Sequence, residues 1–189
     1  MEPADKPLPA LFVYYETISK KMKKLTLFLV LSVIAVSLQA QQHKEPVVVT
    51  EVSGMQVVKS IFPEAAEIVQ ANEVWFKIVN AKKELLGYCL SSKPFSDGIK
   101  GYNGTTPVIV VMDNSKVIKK ITLLTHSETR SYIAKLERQK FFGCWQGLTI
   151  RDALNAKATP DTYSGATLTA GAVRRNVDLV LRKANEKRL

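Results

Sequence analysis

The chain reads as an α+β domain, and three observations predict it. Two strand–turn–strand patterns follow one another, residues 74–79 with 85–90 and residues 107–112 with 117–124. A broken helical stretch comes next, over residues 129–155. The chain then closes on a long amphipathic helix, with Val173, Val177, Val180, Leu181 and Ala184 at helical spacing. Strands first and helices after them describe a single domain: a curved antiparallel sheet of two hairpins packed with helices. No internal repeat or low-complexity linker interrupts residues 41–189, so they read as one unit.

A short helix is expected over residues 53–62. Ser53 is placed to cap it, Val57, Val58, Ile61 and Phe62 make its apolar side, and Pro63 stops it. In the first hairpin Val74, Trp75, Phe76, Ile78 and Val79 face Leu85, Leu86, Tyr88 and Leu90 across the polar link Ala81-Lys82-Lys83. The second turns on Asp113-Asn114-Ser115, residue types that bond their own backbone in turns. Beyond it Tyr132, Ile133, Leu136, Phe141, Phe142 and Trp145 keep a helical rhythm that Gly143 and Gly147 interrupt.

The first forty residues read differently. From Met22 a basic start (Lys23, Lys24) leads into an apolar run, residues 25–36, and then small or polar residues to Ala40. That is the layout of a secretory signal peptide. The run is shorter than the roughly 20 residues of a spanning helix, so cleavage is expected over anchoring. Asp5, Pro7, Pro9 and Glu16 are foreign to such a leader, which places the expected start at Met22, the signal at 22–40 and the domain at 41–189.

Net charge is +10 over 189 residues. Five basic and three acidic side chains lie in the first forty residues, so about +8 remains on the rest, a charge suited to anionic membrane surfaces or acidic partners. Nucleic acid is not the expected partner, because the basic residues are scattered among apolar periodicity and export separates the protein from it. Cys89 and Cys144 have no metal-ligand spacing. In an exported protein they have the option of one disulfide, which sequence leaves open.

The most informative segment is Asp161-Thr162-Tyr163-Ser164-Gly165-Ala166-Thr167, which opens directly onto the last helix. Unpaired N–H groups of a first helical turn and the positive end of its dipole favour an anion there. Gly165 and Ala166 let a bulky group approach the backbone. The alternative is that Ser164 or Thr167 merely caps the helix.

The string D-x-x-S-G-A-T resembles the flavinylation motif of the FMN-binding domain family, which includes subunits of sodium-pumping and Rnf-type respiratory complexes. Three further segments are similar to the family's in the same order: Gly101-Tyr102-Asn103-Gly104 before the second hairpin, His126-Ser127-Glu128-Thr129 after it, and Phe141, Phe142, Trp145 and Gly147 beyond. Where the family has Pro-Gly after the H-x-E-T, this chain has Arg130-Ser131, which leaves His126, Glu128 and Thr129 in place.

The resemblance implies FMN as cofactor, joined to Thr167 by a phosphoester bond that a separate flavin transferase makes, with Asp161 and Ser164 serving that enzyme or the loop's geometry. An unactivated threonine hydroxyl is a poor nucleophile, which also argues against self-attachment. It further implies flavin contacts from His126, Glu128, Thr129, Tyr102 and Trp145. The plainer readings stand beside these: Asp161 as a turn residue, His126 as a strand end, Glu128 as a partner for a basic group, Tyr132 and Trp145 as core. No G-x-G-x-x-G fingerprint or second substrate domain is present. The expected function is therefore an exported carrier of electrons between a membrane-bound donor and an extracytoplasmic acceptor. A redox or ligand-sensing module and a flavin enzyme acting on a small acceptor are the alternatives.

Overall fold

The computed structural model describes residues 21–22, 47–156, 166–187 and 189. The chain divides into two units, Met1–Glu45 and Pro46–Leu189, and every element named below lies in the second. The expected signal segment lies outside the described residues except for Met22, which is helical. Among the described residues no helix is long and apolar enough to cross a membrane.

Helix α1 (Gly54–Lys59) begins where Ser53 Oγ accepts the Gln56 N–H at 3.1 Å, the cap its sequence called for. Five strands follow: β1 (Ala65–Gln70), β2 (Trp75–Asn80), β3 (Leu85–Ser91), β4 (Val108–Asp113) and β5 (Ile118–Leu123). They pair antiparallel in the order β1-β2-β3-β4-β5 as one open sheet. Both expected hairpins are present, and the pairing of β3 with β4 fuses them. At the second turn Asp113 Oδ1 accepts from Ser115 N at 2.9 Å and Val117 N at 3.0 Å. Three register shifts, one each in the β1–β2, β2–β3 and β4–β5 pairs, mark bulges, which bend and twist a sheet.

Strand β1 is an addition to the expected two hairpins. Its sequence, Ala65-Ala66-Glu67-Ile68-Val69-Gln70, has β-formers only at Ile68 and Val69 and no alternation, and it sits at the sheet edge with only Ala65 buried. Pairing with β2 decides its conformation where local preference is mixed.

Strand β4 is buried on both faces and separates two cores. Val108, Val110 and Met112 join the core that the later helices cover; Ile109 and Val111 join a smaller one with Val57 and Val58 of α1. Those later helices are α2 (Arg130–Arg138), α3 (Ile150–Asn155) and α4 (Thr167–Glu186), with a 3₁₀ turn at Phe141–Trp145 between α2 and α3. The breaks fall at Lys140 (φ 55°) and Gly147 (φ 82°), left-handed positions that end helical turns. Val173, Val177, Val180 and Leu181 of α4 are fully buried, and Trp75 Nε1 donates to Ala184 O at 3.2 Å. The cysteines stay free: Cys89 is buried in the smaller core, where burial pushes its thiol up to about 12, and Cys144 is exposed on the 3₁₀ turn.

Candidate functional site

A buried carboxylate organises the region where the expected site residues meet. Glu128, only 1% exposed, lies on the irregular segment between β5 and α2. Its Oε2 accepts from Tyr102 N at 3.1 Å, and its Oε1 accepts from Asn103 N at 2.9 Å and Gly104 N at 3.2 Å. Thr169 Oγ1, from the first turn of α4, donates to Oε2 through a short bond. Four donors converge on one carboxylate, which is how a charge is accommodated away from water. Three successive backbone N–H groups from one loop supply most of that cradle.

The loop's glycine spacing follows from this arrangement. A Cβ at Gly101 would stand 2.6 Å from Glu128 Oε1, so a larger residue there would push the carboxylate out. Gly101 N donates to Gly104 O at 2.8 Å, closing the turn. Asn103 Nδ2 donates to Thr129 Oγ1 at 2.9 Å, and Ser127 Oγ donates to Asn103 O at 3.3 Å, so residues 127–129 hold the loop at three points. Arg130 and Ser131 begin α2 directly after Thr129.

Thr167 is the first residue of α4, with Ala166 in the cap position. That removes the reading of Thr167 as the helix cap, since a capping side chain belongs to the residue before it. Thr167 is exposed, whereas Ala166 is buried. The two line a cavity of about 230 Å³ together with Leu168, Thr169, Tyr102 and Tyr132. Tyr102 and Tyr132 meet edge to face at 5.2 Å between ring centres.

This donor set fits a phosphate ester. It holds two hydroxyl-bearing threonines, two phenols and the N-terminal turn of a 20-residue helix, and among the described residues no carboxylate lines it. Glu128, the nearby acid, is already occupied by its four donors.

Of the expected site residues, Thr167, Ala166 and Tyr102 line this cavity, and Glu128 and Thr129 support it from behind. Asp161, Ser164 and Gly165 lie outside the described residues. Trp145 is placed elsewhere: it is 1% exposed in the main core, with its ring 5.4 Å from that of Phe141. Its core reading is the one the packing supports, because a ring so enclosed has no free face for a flavin. His126 is 7% exposed and lines a different cavity. Its Nδ1 accepts the Glu128 N–H at 3.1 Å, so the ring's proton sits on Nε2. Burial holds this imidazole below its ordinary range, against the opposing pull of Glu128.

Sequence reasoning missed Thr169, Asn103 and Asn176. Asn176, fully buried in α4, donates to Thr106 O at 2.9 Å and Thr106 Oγ1 at 3.0 Å, fastening the helix to the chain entering β4. A polar residue on the apolar stripe of a helix was the available signal for both Thr169 and Asn176.

Residues 101–182 match the family model of the FMN-binding domain. The match begins at the glycine against Glu128 and ends within α4, so it takes in every residue of the cavity. No curated protein matches the chain.

Proposed function

From the premise that residues 101–182 form an FMN-binding domain with FMN as its cofactor, we propose that the protein is an exported electron carrier whose FMN is joined to Thr167 through a phosphoester bond. The observation that carries this reading is the place of Thr167: an exposed hydroxyl-bearing residue, first in a long helix, on a cavity that no carboxylate lines among the described residues.

Bound FMN supplies the acceptance of two electrons and their release one at a time. The chain's own residues hold and orient it. First-turn N–H groups of α4 and its dipole stabilise phosphate charge at Thr167. Tyr102 and Tyr132 give the cavity an aromatic wall. Glu128 fixes the distance between that wall and the helix, since it bonds the Tyr102 N–H on one side and Thr169 on the other.

A flavin transferase is the partner that makes the bond, and a membrane-bound redox protein is the partner that uses it. The leader-like residues 22–40 support export, with the domain working at the outer face of the membrane. Co-production with a flavin transferase should give a yellow protein whose intact mass retains one flavin after denaturation. Thr167→Ala should lose all of it and remain folded. A colourless product beside an active transferase, or flavin that survives in Thr167→Ala, would falsify the attachment.

A further inference from the structure

The cavity at Thr167 is small for the cofactor it serves. Its described walls enclose about 230 Å³, below the roughly 300 Å³ at which small-molecule sites begin. A flavin joined to Thr167 therefore extends past those walls, onto the surface beside them.

Leu168, Gly171 and Arg175 stand at i, i+3 and i+7 on α4, so they form one stripe along the helix. The stripe starts in the cavity, which Leu168 lines while remaining 65% exposed. Gly171 leaves its middle bare. Apart from the helix backbone and its own chain neighbours, a Cβ there would meet one atom of the described residues within 4 Å, Arg175 Nη1 at 3.6 Å. The Arg175 side chain thus runs back along the helix toward its first turn. Its Nη2 donates to Lys100 O at 3.4 Å, and Lys100 stands two residues before Tyr102, which lines the same cavity. The guanidinium is therefore lodged where the helix and the glycine loop meet beside the cavity.

That guanidinium has donors to spare. Its bond to Lys100 is longer than the usual range of roughly 2.7–3.2 Å, and it uses one N–H of several. None of the ion pairs among the described residues involves Arg175. Asp178, the acid three residues further along α4, has its charge stabilised by Arg174 and Arg182 instead. A weakly held cation at the end of an apolar strip matches a flat apolar ring with an electron-rich edge. Uptake of two electrons and one proton by FMN leaves one negative charge on that ring, and a neighbouring cation favours it.

We propose that Leu168 and Gly171 carry the flavin ring outside the cavity and that Arg175 meets its electron-rich edge, a cofactor-binding residue that raises the reduction potential. This rests on the attachment at Thr167, so the test begins with intact mass. The full-length protein and its Arg175→Gln, Arg175→Lys and Gly171→Leu variants, each co-produced with a flavin transferase, should all retain one flavin.

Reductive titration should then show Arg175→Gln disfavouring the reduced flavin about tenfold, about 30 mV for a two-electron couple, with Arg175→Lys restoring most of the difference. Gly171→Leu should lower the potential as well while raising the Tm, because glycine is the poorer helix former. A residue that served stability alone would not separate those two readouts. A flavinylated Arg175→Gln at the wild-type potential, or a Gly171→Leu that leaves the potential unchanged, would overturn the proposal and leave the attachment standing. A wild type without flavin beside an active transferase would overturn both.

Discussion

The two halves of α4 are held by different forces. Its first turn is tied by a directional bond, Thr169 to the buried Glu128 carboxylate, which is itself fixed by three backbone N–H groups. Its second half is held mainly by apolar burial, with Val177, Val180 and Leu181 fully enclosed, beside the single bond from Trp75 Nε1 to Ala184 O. Apolar burial is strong and non-directional, whereas hydrogen bonds contribute less energy and more geometry. The half that carries Thr167 is thus the half whose orientation is the more closely specified, while the larger buried side chains, Val180 and Leu181 among them, lie in the other.

The largest effect should follow from attacking the second half. Leu181→Ala removes a fully buried side chain in the main core and should cost about 3 kcal/mol in urea unfolding, within the usual range for such cavities. The folded fraction should still accept flavin at Thr167. A loss below about 1 kcal/mol would show that the energy of α4 lies elsewhere.

Glu128→Gln attacks the first half. It keeps the shape but turns an amide NH₂ toward donors, with an expected cost of about 2 kcal/mol. The more telling readout is local: amide exchange at Tyr102, Asn103 and Gly104 should accelerate far more than in the rest of the domain. Uniform acceleration would mean that the carboxylate acts on global stability only. Thr169→Val removes one bond while keeping the shape, and about 1 kcal/mol with a weaker version of the same local pattern is expected.

This division also governs what could be read in the sequence. The apolar half was legible, because Val173, Val177, Val180, Leu181 and Ala184 announce a buried stripe by spacing alone, and all five are buried. Both hairpins were legible for the same reason of periodicity, with Asp113 adding turn chemistry. Strand β1 was not, since Ala-Ala-Glu-Ile-Val-Gln has no apolar–polar alternation and the strand is fixed by its partner. Within the site, Thr167, Tyr102 and Glu128 were legible from motif strings, yet what Glu128 does was not. Its partners lie 24 to 26 residues before it in Tyr102, Asn103 and Gly104 and 41 after it in Thr169, separations that no local pattern encodes. Trp145 shows the converse: a motif position filled by a residue that the core claims.

The smallest expected effect tests how far the carboxylate cradle depends on its neighbour. His126 accepts the Glu128 N–H through Nδ1, a bond available only to the unprotonated nitrogen. Burial, the larger influence, holds its pKa below the ordinary value, and the Glu128 charge opposes this less strongly. The unfolded chain therefore binds a proton near pH 6.5 before the folded one does. Stability should be unaffected by this group well above that pH. It should fall as the pH drops through that value, and level off once the folded imidazole is protonated. Asp178 has the opposite sign: burial raises its pKa above the ordinary carboxylate value, so its contribution is present below that value and is lost as the pH rises through the raised one. Unfolding midpoints measured from pH 7.5 downward should show this slope in the wild type and a smaller one in His126→Asn, whose Oδ1 can take the place of Nδ1 without titrating. An unchanged slope in the variant would remove His126 from the account of how Glu128 is held.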